Sequence, residues 1–310
     1  MAKIPLEKTI EATYRFAFTN ILSVFGVIWL PALILIALIG GVFYLAWPEI
    51  HALIPPDLGT ETHGMEEARE RLRHLLPLML VFARYAGLLS LAGIVLRSMV
   101  TVGVMEKALG LRQGPVFVYF SLGAPVWRMI GAMILAVLLI AASLVASVIV
   151  VGVTFWAAEH YAGGVAGLAK FVAVCAAVLW TIYMIFRLAF FLPAVVVAEG
   201  RIGIGRAWSL GGGNFWRIIG TLLAVLLPVM IVAGIVSNIL FGSLWWGDMQ
   251  AAILAKHEMT PREFVAAVMH NLEHIWPFLL LFEIVYISLL TGLGLGAVAN
   301  AYKAVTEAPA

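Results

Sequence analysis

In a chain where 63% of the residues are hydrophobic and 12% charged, the ionisable side chains set inside long apolar runs are the first candidates for chemistry. Each costs free energy in hydrocarbon unless it is paired or hydrated. Arg84 lies seven residues beyond Pro77, and Glu283 six beyond Pro277. At about 1.5 Å per residue both fall about 10 Å below the same membrane surface. Opposite charges at matching depth predict an intramembrane ion pair between Arg84 and Glu283, which either fixes the register of two spans or lines a polar pathway.

A second constellation is His270-Asn271-Leu272-Glu273-His274, which matches the H-x-x-E-H pattern of zinc proteases. Histidines at i and i+4 share a helix face and can bind zinc, with His74, His257 or Asp248 as a third ligand. The structural alternative is a surface helix that begins at Thr260-Pro261-Arg262-Glu263, with Thr as cap, Pro at the first position and Glu closing a capping box. The helix reading is preferred, because no soluble catalytic domain surrounds the five residues. Gly211-Gly212-Gly213 is followed by Asn214, without the Gly-Lys-Ser/Thr of a phosphate loop. It reads as a tight turn with Asn214 capping the next helix. The single Cys175 excludes a disulfide within the chain and a thiolate cluster. No hydrolase triad or dinucleotide fingerprint emerges, and no cofactor is expected.

These residues need elements to hold them, and composition dictates which. The 310 residues carry 19 basic and 17 acidic side chains, a net +2, with no basic surplus for nucleic acid. A mean hydropathy of +1.05 excludes a water-soluble domain. A hydrocarbon core of about 30 Å takes about 20 apolar residues per helix. Six stretches qualify: Asn20 to Trp47, Leu75 to Val104, Val126 to Trp156, Val165 to Phe186, Phe215 to Trp245 and Ile275 to Ala299. The expected class is an all-α polytopic membrane protein, with residues 1–310 forming one integral membrane domain. The first span is too long for the core of a cleaved signal and reads as a retained anchor.

Positive charge orients the spans. Lys3, Lys8, Arg15, Lys107, Arg112, Arg128, Arg201, Arg206, Arg217 and Lys303 lie on the side of the two termini, against Arg69, Arg71, Arg73, Lys170, Lys256 and Arg262 on the other. The excess predicts cytoplasmic termini. All seven histidines fall on the opposite side.

Self-comparison reveals a repeat. Ser121-Leu122-Gly123 recurs as Ser209-Leu210-Gly211, and Trp127-Arg128-Met129-Ile130-Gly131 as Trp216-Arg217-Ile218-Ile219-Gly220. Arg97 corresponds to Arg187, and Glu106 to Glu199. Parallel hairpin units are expected at about 75–160 and 164–250, with a third from 261–303 completed by 1–47. In this last unit Leu6, Ile10, Tyr14, Phe18 and Ile21 form the apolar stripe of an interfacial helix. Gly292, Gly294 and Gly296 predict close approach of another helix.

At the inner ends of the spans, Arg97 and Arg187 can snorkel to headgroups. With Arg201, Arg206 and Arg217 they form a candidate basic rim for anionic lipid. Between Arg187 and Glu199 the chain is apolar, and Pro193 predicts a hinged elbow in the interface that turns back through Gly200, Gly203 and Gly205.

The residues Arg187 to Pro193, Val197-Ala198-Glu199, Ala207-Trp208-Ser209-Leu210 and Asn214-Phe215-Trp216-Arg217 resemble the glycerophosphoryl diester phosphodiesterase-like membrane domain family and related bacterial six-span inner-membrane proteins. The resemblance implies a bacterial inner-membrane protein connected with membrane lipids. Some members carry a soluble phosphodiesterase domain after the membrane part. None follows here before Ala310, so that activity is not expected. The leading expectation is a non-enzymatic protein with an accessory or lipid-associated role and membrane lipids as its partners. A small transporter of parallel repeats and a membrane-embedded metal hydrolase are the alternatives.

Overall fold

Backbone N–H and C=O groups in hydrocarbon must be satisfied within the chain, so apolar runs of this length fold as helices. The structure, a computed structural model, describes residues 2–53, 65–161, 163–254 and 261–307, with side chains over 2–49, 76–77, 79–161, 163–240, 242 and 275–307. Among the described residues it is helical with no strand. Helix α1 covers Leu6–Thr19, α2 Ile21–Leu53, α3 Met65–Ala108, α4 Ala124–Tyr161, α5 Ala166–Ala189, α6 Leu192–Glu199, α7 Ile204–Gly211, α8 Phe215–Leu254 and α9 Pro261–Thr306. Six segments are long and apolar enough to cross a membrane: Ile21–Glu49, Met79–Ala108, Ala124–Tyr161, Gly163–Glu199, Phe215–Leu240 and Ile275–Thr306. The chain is a multi-pass membrane protein. The helices outrun the bilayer core: α3 has 44 residues and α9 has 46, each roughly twice the minimum for a span.

The spans pair as hairpins, α2 with α3, α4 with α5 and α8 with α9. Burial is concentrated at the end that holds both termini. Buried side chains run from Leu96 to Ala108 in α3, and from Val126 to Ala136 in α4 with Ala158 beyond. They run from Ser288 to Tyr302 in α9, and in α5 only Leu188, near its end, is buried. Toward the other end, Val145, Val148 and Ile149 of α4 and Phe171, Val172 and Leu179 of α5 are exposed, which is how lipid-facing helices look when the protein is viewed alone. The spans are therefore joined chiefly at one end.

At that end the elbow is buried in protein. The helix breaks just ahead of Pro193, as expected: α5 ends at Ala189 and α6 begins at Leu192, with Pro193 in the first turn, where its missing N–H costs nothing. The residues Leu192, Ala194, Val195 and Val196 are buried beside Phe191, which is fully buried. A short helix apolar on every side must sit in the core, and α6 packs against α3, α4 and α9. Gly200 ends it at φ +65, a conformation that favours glycine.

Helix α1 has three faces rather than two. Glu7, Lys8, Glu11 and Arg15 are exposed, and Leu6 and Phe18 of the apolar stripe are also exposed. The buried face is Thr9, Thr13 and Ala17. Small residues at four-residue spacing let α1 lie close on α9, where a Cβ on Gly292 would stand 3.6 Å from Ala17 and one on Gly296 2.9 Å from the Phe16 ring. Gly294 faces open space, so two of the three glycines serve this approach. Asn214 precedes α8 but does not use its side chain to cap it. Its Oδ1 accepts from Ile4 N–H at 3.1 Å, and its amide donates to the Leu210 carbonyl at 3.2 Å.

The segment from Leu109 to Gly123 crosses α2. Trp29 Nε1 donates to the Phe117 carbonyl at 2.8 Å, and a Cβ on Gly26 would collide with the Val116 carbonyl. A Gly26→Val substitution is expected to destabilise the protein by about 1–3 kcal/mol through overpacking. Gly41→Ala, where a Cβ meets nothing within 4 Å, is expected to be neutral or to add about 0.5–1 kcal/mol. Thermal unfolding in detergent measures both.

Candidate functional site

Of the arginines expected to form one rim, only two meet. Arg201, in the turn after α6, donates through Nε at 3.0 Å and Nη2 at 2.7 Å to Oε2 of Glu199. Arg206, on α7, donates through Nε to Oε1 at 3.3 Å. The Tyr302 hydroxyl of α9 donates to the same oxygen at 3.2 Å. Glu199 is the hub: its side chain is 19% exposed, against 66% for Arg201 and 45% for Arg206. Exposed ion pairs contribute about 0.2–1 kcal/mol each, so the cluster positions its guanidiniums more than it stabilises the fold.

A third guanidinium joins from α4. Arg128 is exposed, and one of its Nη atoms lies 3.5 Å from where a Cβ on Gly200 would stand. The contact follows from packing, since Ile202 reaches within 3.1 Å of the Cβ position of Gly131, three residues along α4. Arg128 forms no hydrogen bond or ion pair among the described residues. It was not among the expected rim residues, although the repeat pairs it with Arg217.

Two of the other rim residues are engaged elsewhere. Arg217 donates to the Ile4 carbonyl at 2.6 Å and ties the N-terminal segment to the start of α8. Arg187 is clamped: its guanidinium carbon lies 4.0 Å from the Trp208 ring centroid, its Nε donates to the Trp208 carbonyl at 3.3 Å, and Nη1 donates to the Tyr183 hydroxyl. Arg97 is exposed and has no such clamp, because Gly93 stands where Tyr183 precedes Arg187 by one turn. Glu106 repeats the theme of Glu199 on a smaller scale, paired with Arg112 at 3.2 Å. Arg112 lies 4.9 Å from the Tyr119 ring, whose phenol is pushed above its usual value by burial and by the Glu106 carboxylate.

The expected pair of Arg84 with Glu283 does not form. Arg84 Nη2 donates to both oxygens of Glu49, each at 2.9 Å, and to the Tyr85 hydroxyl at 2.8 Å, while Glu283 is exposed. The hairpin decides this, since α3 packs most extensively on α2. Glu49 ends the span Ile21–Glu49, and Arg84 stands five residues into Met79–Ala108, so the two meet where this hairpin is farthest from the termini. The side chains of His74, His270 and His274 lie outside the described residues, and no group of three metal-binding side chains occurs among those described.

A cleft of about 790 Å³ opens between α4 and α5, lined by Ala146, Val150, Ala173, Ala177 and their neighbours, with no ionisable side chain. Its hydroxyls are satisfied: Ser147 donates to the Ser143 carbonyl, Thr154 to the Val150 carbonyl, and Ser143 accepts from Trp180 Nε1 at 2.9 Å. It offers volume without chemistry. No family model, curated protein or solved structure matches the chain.

The clamp carries a prediction. Arg187→Lys keeps the charge but loses the planar stack and is expected to cost about 1–2 kcal/mol in thermal unfolding. Arg97→Lys is expected to cost nothing measurable in the same assay.

Proposed function

We propose that this is a non-enzymatic protein of a bacterial inner membrane, with both termini cytoplasmic and an accessory role that depends on anionic lipid headgroups at the termini end. The observation that carries the reading is the meeting of Arg201 and Arg206 on the Glu199 carboxylate, with the unpaired guanidinium of Arg128 brought beside the adjacent Gly200. Trp127, 57% exposed, and Trp216, 78% exposed, stand in the first turns of α4 and α8, and tryptophans at span ends favour the headgroup level. Arg128 follows Trp127 directly, which favours the same headgroup level for its guanidinium. The resemblance of residues 187–217 to a lipid-related membrane family points the same way. A transport pathway through Arg84 and Glu283 finds less support, because Arg84 is committed to Glu49. Positive charge on the termini side favours the cytoplasm.

Native mass spectrometry of protein released from nanodiscs of mixed phosphatidylglycerol and phosphatidylethanolamine tests the lipid role. Phosphatidylglycerol is expected to be retained preferentially, and the Arg128→Gln, Arg201→Gln, Arg206→Gln triple variant is expected to lose the preference. Equal retention of both lipids by the unaltered protein refutes the role. Green fluorescent protein fused after Ala310 is expected to fluoresce in cells; a dark fusion with full-length expression assigns the termini to the other side.

A further inference from the structure

The donors around Glu199 are unevenly used. Arg201 commits Nε and Nη2, and Arg206 commits Nε. A guanidinium has five N–H donors, so both side chains keep terminal donors, and Arg128 keeps all five among the described contacts. The carboxylate is fully occupied, with Oε2 taken by Arg201 and Oε1 shared by Arg206 and Tyr302. Glu199 therefore orients two guanidiniums in advance and has little left for a ligand, a preorganisation that lowers the cost of binding.

Charge sets the class of ligand. Three guanidiniums against one carboxylate leave two positive charges uncompensated. The repeat offers a control within the molecule, because Arg217, the counterpart of Arg128, bonds the Ile4 carbonyl. Among the described residues no chain segment fills that role for Arg128. A phosphodiester brings one charge and two free oxygens, whereas a phosphomonoester brings about 1.5 to 2 charges and three acceptor oxygens. Arginine forks suit such oxygens bidentately.

We propose that Arg128, Arg201 and Arg206 form a site for a phosphomonoester, preferred over a phosphodiester, held at the membrane interface. The proposal rests on the reading of this end as a lipid-headgroup surface and names the headgroup. The same chemistry is offered by a lipid such as phosphatidic acid and by a soluble phosphate. The Trp127 depth favours the lipid.

The test uses the full chain in phosphatidylcholine nanodiscs doped with equal fractions of dioleoylphosphatidic acid and dioleoylphosphatidylglycerol, read by native mass spectrometry. Phosphatidic acid is expected to be retained about tenfold over phosphatidylglycerol, the equivalent of one additional charge-assisted hydrogen bond. Arg128→Gln is expected to bring the ratio close to one, and Arg97→Gln to leave it unchanged. Arg128 is exposed and unpaired, so its variant should fold; Arg128→Lys, which keeps the charge and loses the fork, is expected to give an intermediate ratio. Displacement of phosphatidic acid by inorganic phosphate supports the site and assigns it to a soluble phosphomonoester. Equal retention of the two anionic lipids overturns the phosphomonoester assignment and leaves the broader lipid reading standing. Retention of neither above phosphatidylcholine overturns both, and a preference that survives Arg128→Gln and Arg128→Lys overturns the assignment to this cluster.

Discussion

Apolar surface in a bilayer gains nothing by leaving lipid for protein, so spans hold together only through close packing and polar ties. In this chain the close packing is gathered at one end, around α6, while Arg84 with Glu49 and Trp180 with Ser143 tie single hairpins farther along. Phe191, Ala194, Val195 and Val196 occupy the junction of α3, α4 and α9, and the spans converge on them. The position of everything chemical follows. Glu199 and Gly200 end the buried helix, so the depth and direction of α6 decide where the carboxylate emerges. Tyr302 then registers that carboxylate to α9. Far from α6 the hairpins have little to pack against, and α4 and α5 turn most of their surface outward.

The repeated sequence motifs have been put to different uses. Both Trp-Arg pairs open a span, yet Arg217 fastens the N-terminal segment while Arg128 is left free. Arg187 is held by Tyr183 and Trp208, whereas the positions matching those aromatics in the other unit are Gly93 and Phe120. Two aromatic side chains account for the second divergence and one backbone carbonyl for the first. Equivalence in sequence therefore does not carry equivalence of role, and an arginine's availability is decided by what its neighbours leave it.

The apolar spans were legible in the sequence because length and hydropathy act locally, and each expected span overlaps an observed one, although the fourth runs on to Glu199 and the sixth to Thr306. Helix-to-helix pairing was not legible. Arg84 and Glu283 match in depth, but depth says nothing about azimuth, and Glu49 on the adjoining helix takes the partner's place. The break at Pro193 was legible, but the burial of α6 was not, because an apolar segment after a proline reads the same whether lipid or protein surrounds it. In α1 the spacing of Leu6, Ile10, Tyr14 and Phe18 concealed the inward face: Leu6 and Phe18 are exposed, Ile10 and Tyr14 are half-buried against α8 and α9, and Thr9, Thr13 and Ala17 make the fully buried contact. The site was half legible. Arg201, Arg206 and Glu199 stood out as charges in an apolar stretch, but Arg128 required the approach of Ile202 to Gly131, a tertiary fact.

A carboxylate at the centre of a basic cluster looks like a defect for anion binding, since it cancels part of the attraction. Its geometry argues otherwise. Three unpaired guanidiniums at close range would repel one another and splay into solvent, and each would have to be ordered again when an anion arrived. By holding Arg201 and Arg206 through Nε and a single Nη, Glu199 removes that freedom while leaving terminal N–H groups available. Arg128 has no such tether and stands beside the turn at Gly200. Next to lipid the effective dielectric is below that of water, so the remaining positive charge acts more strongly on a nearby phosphate than it would on a soluble surface. The acid thus trades some attraction for order, and the two uncompensated charges that survive are the part of the cluster a ligand can use.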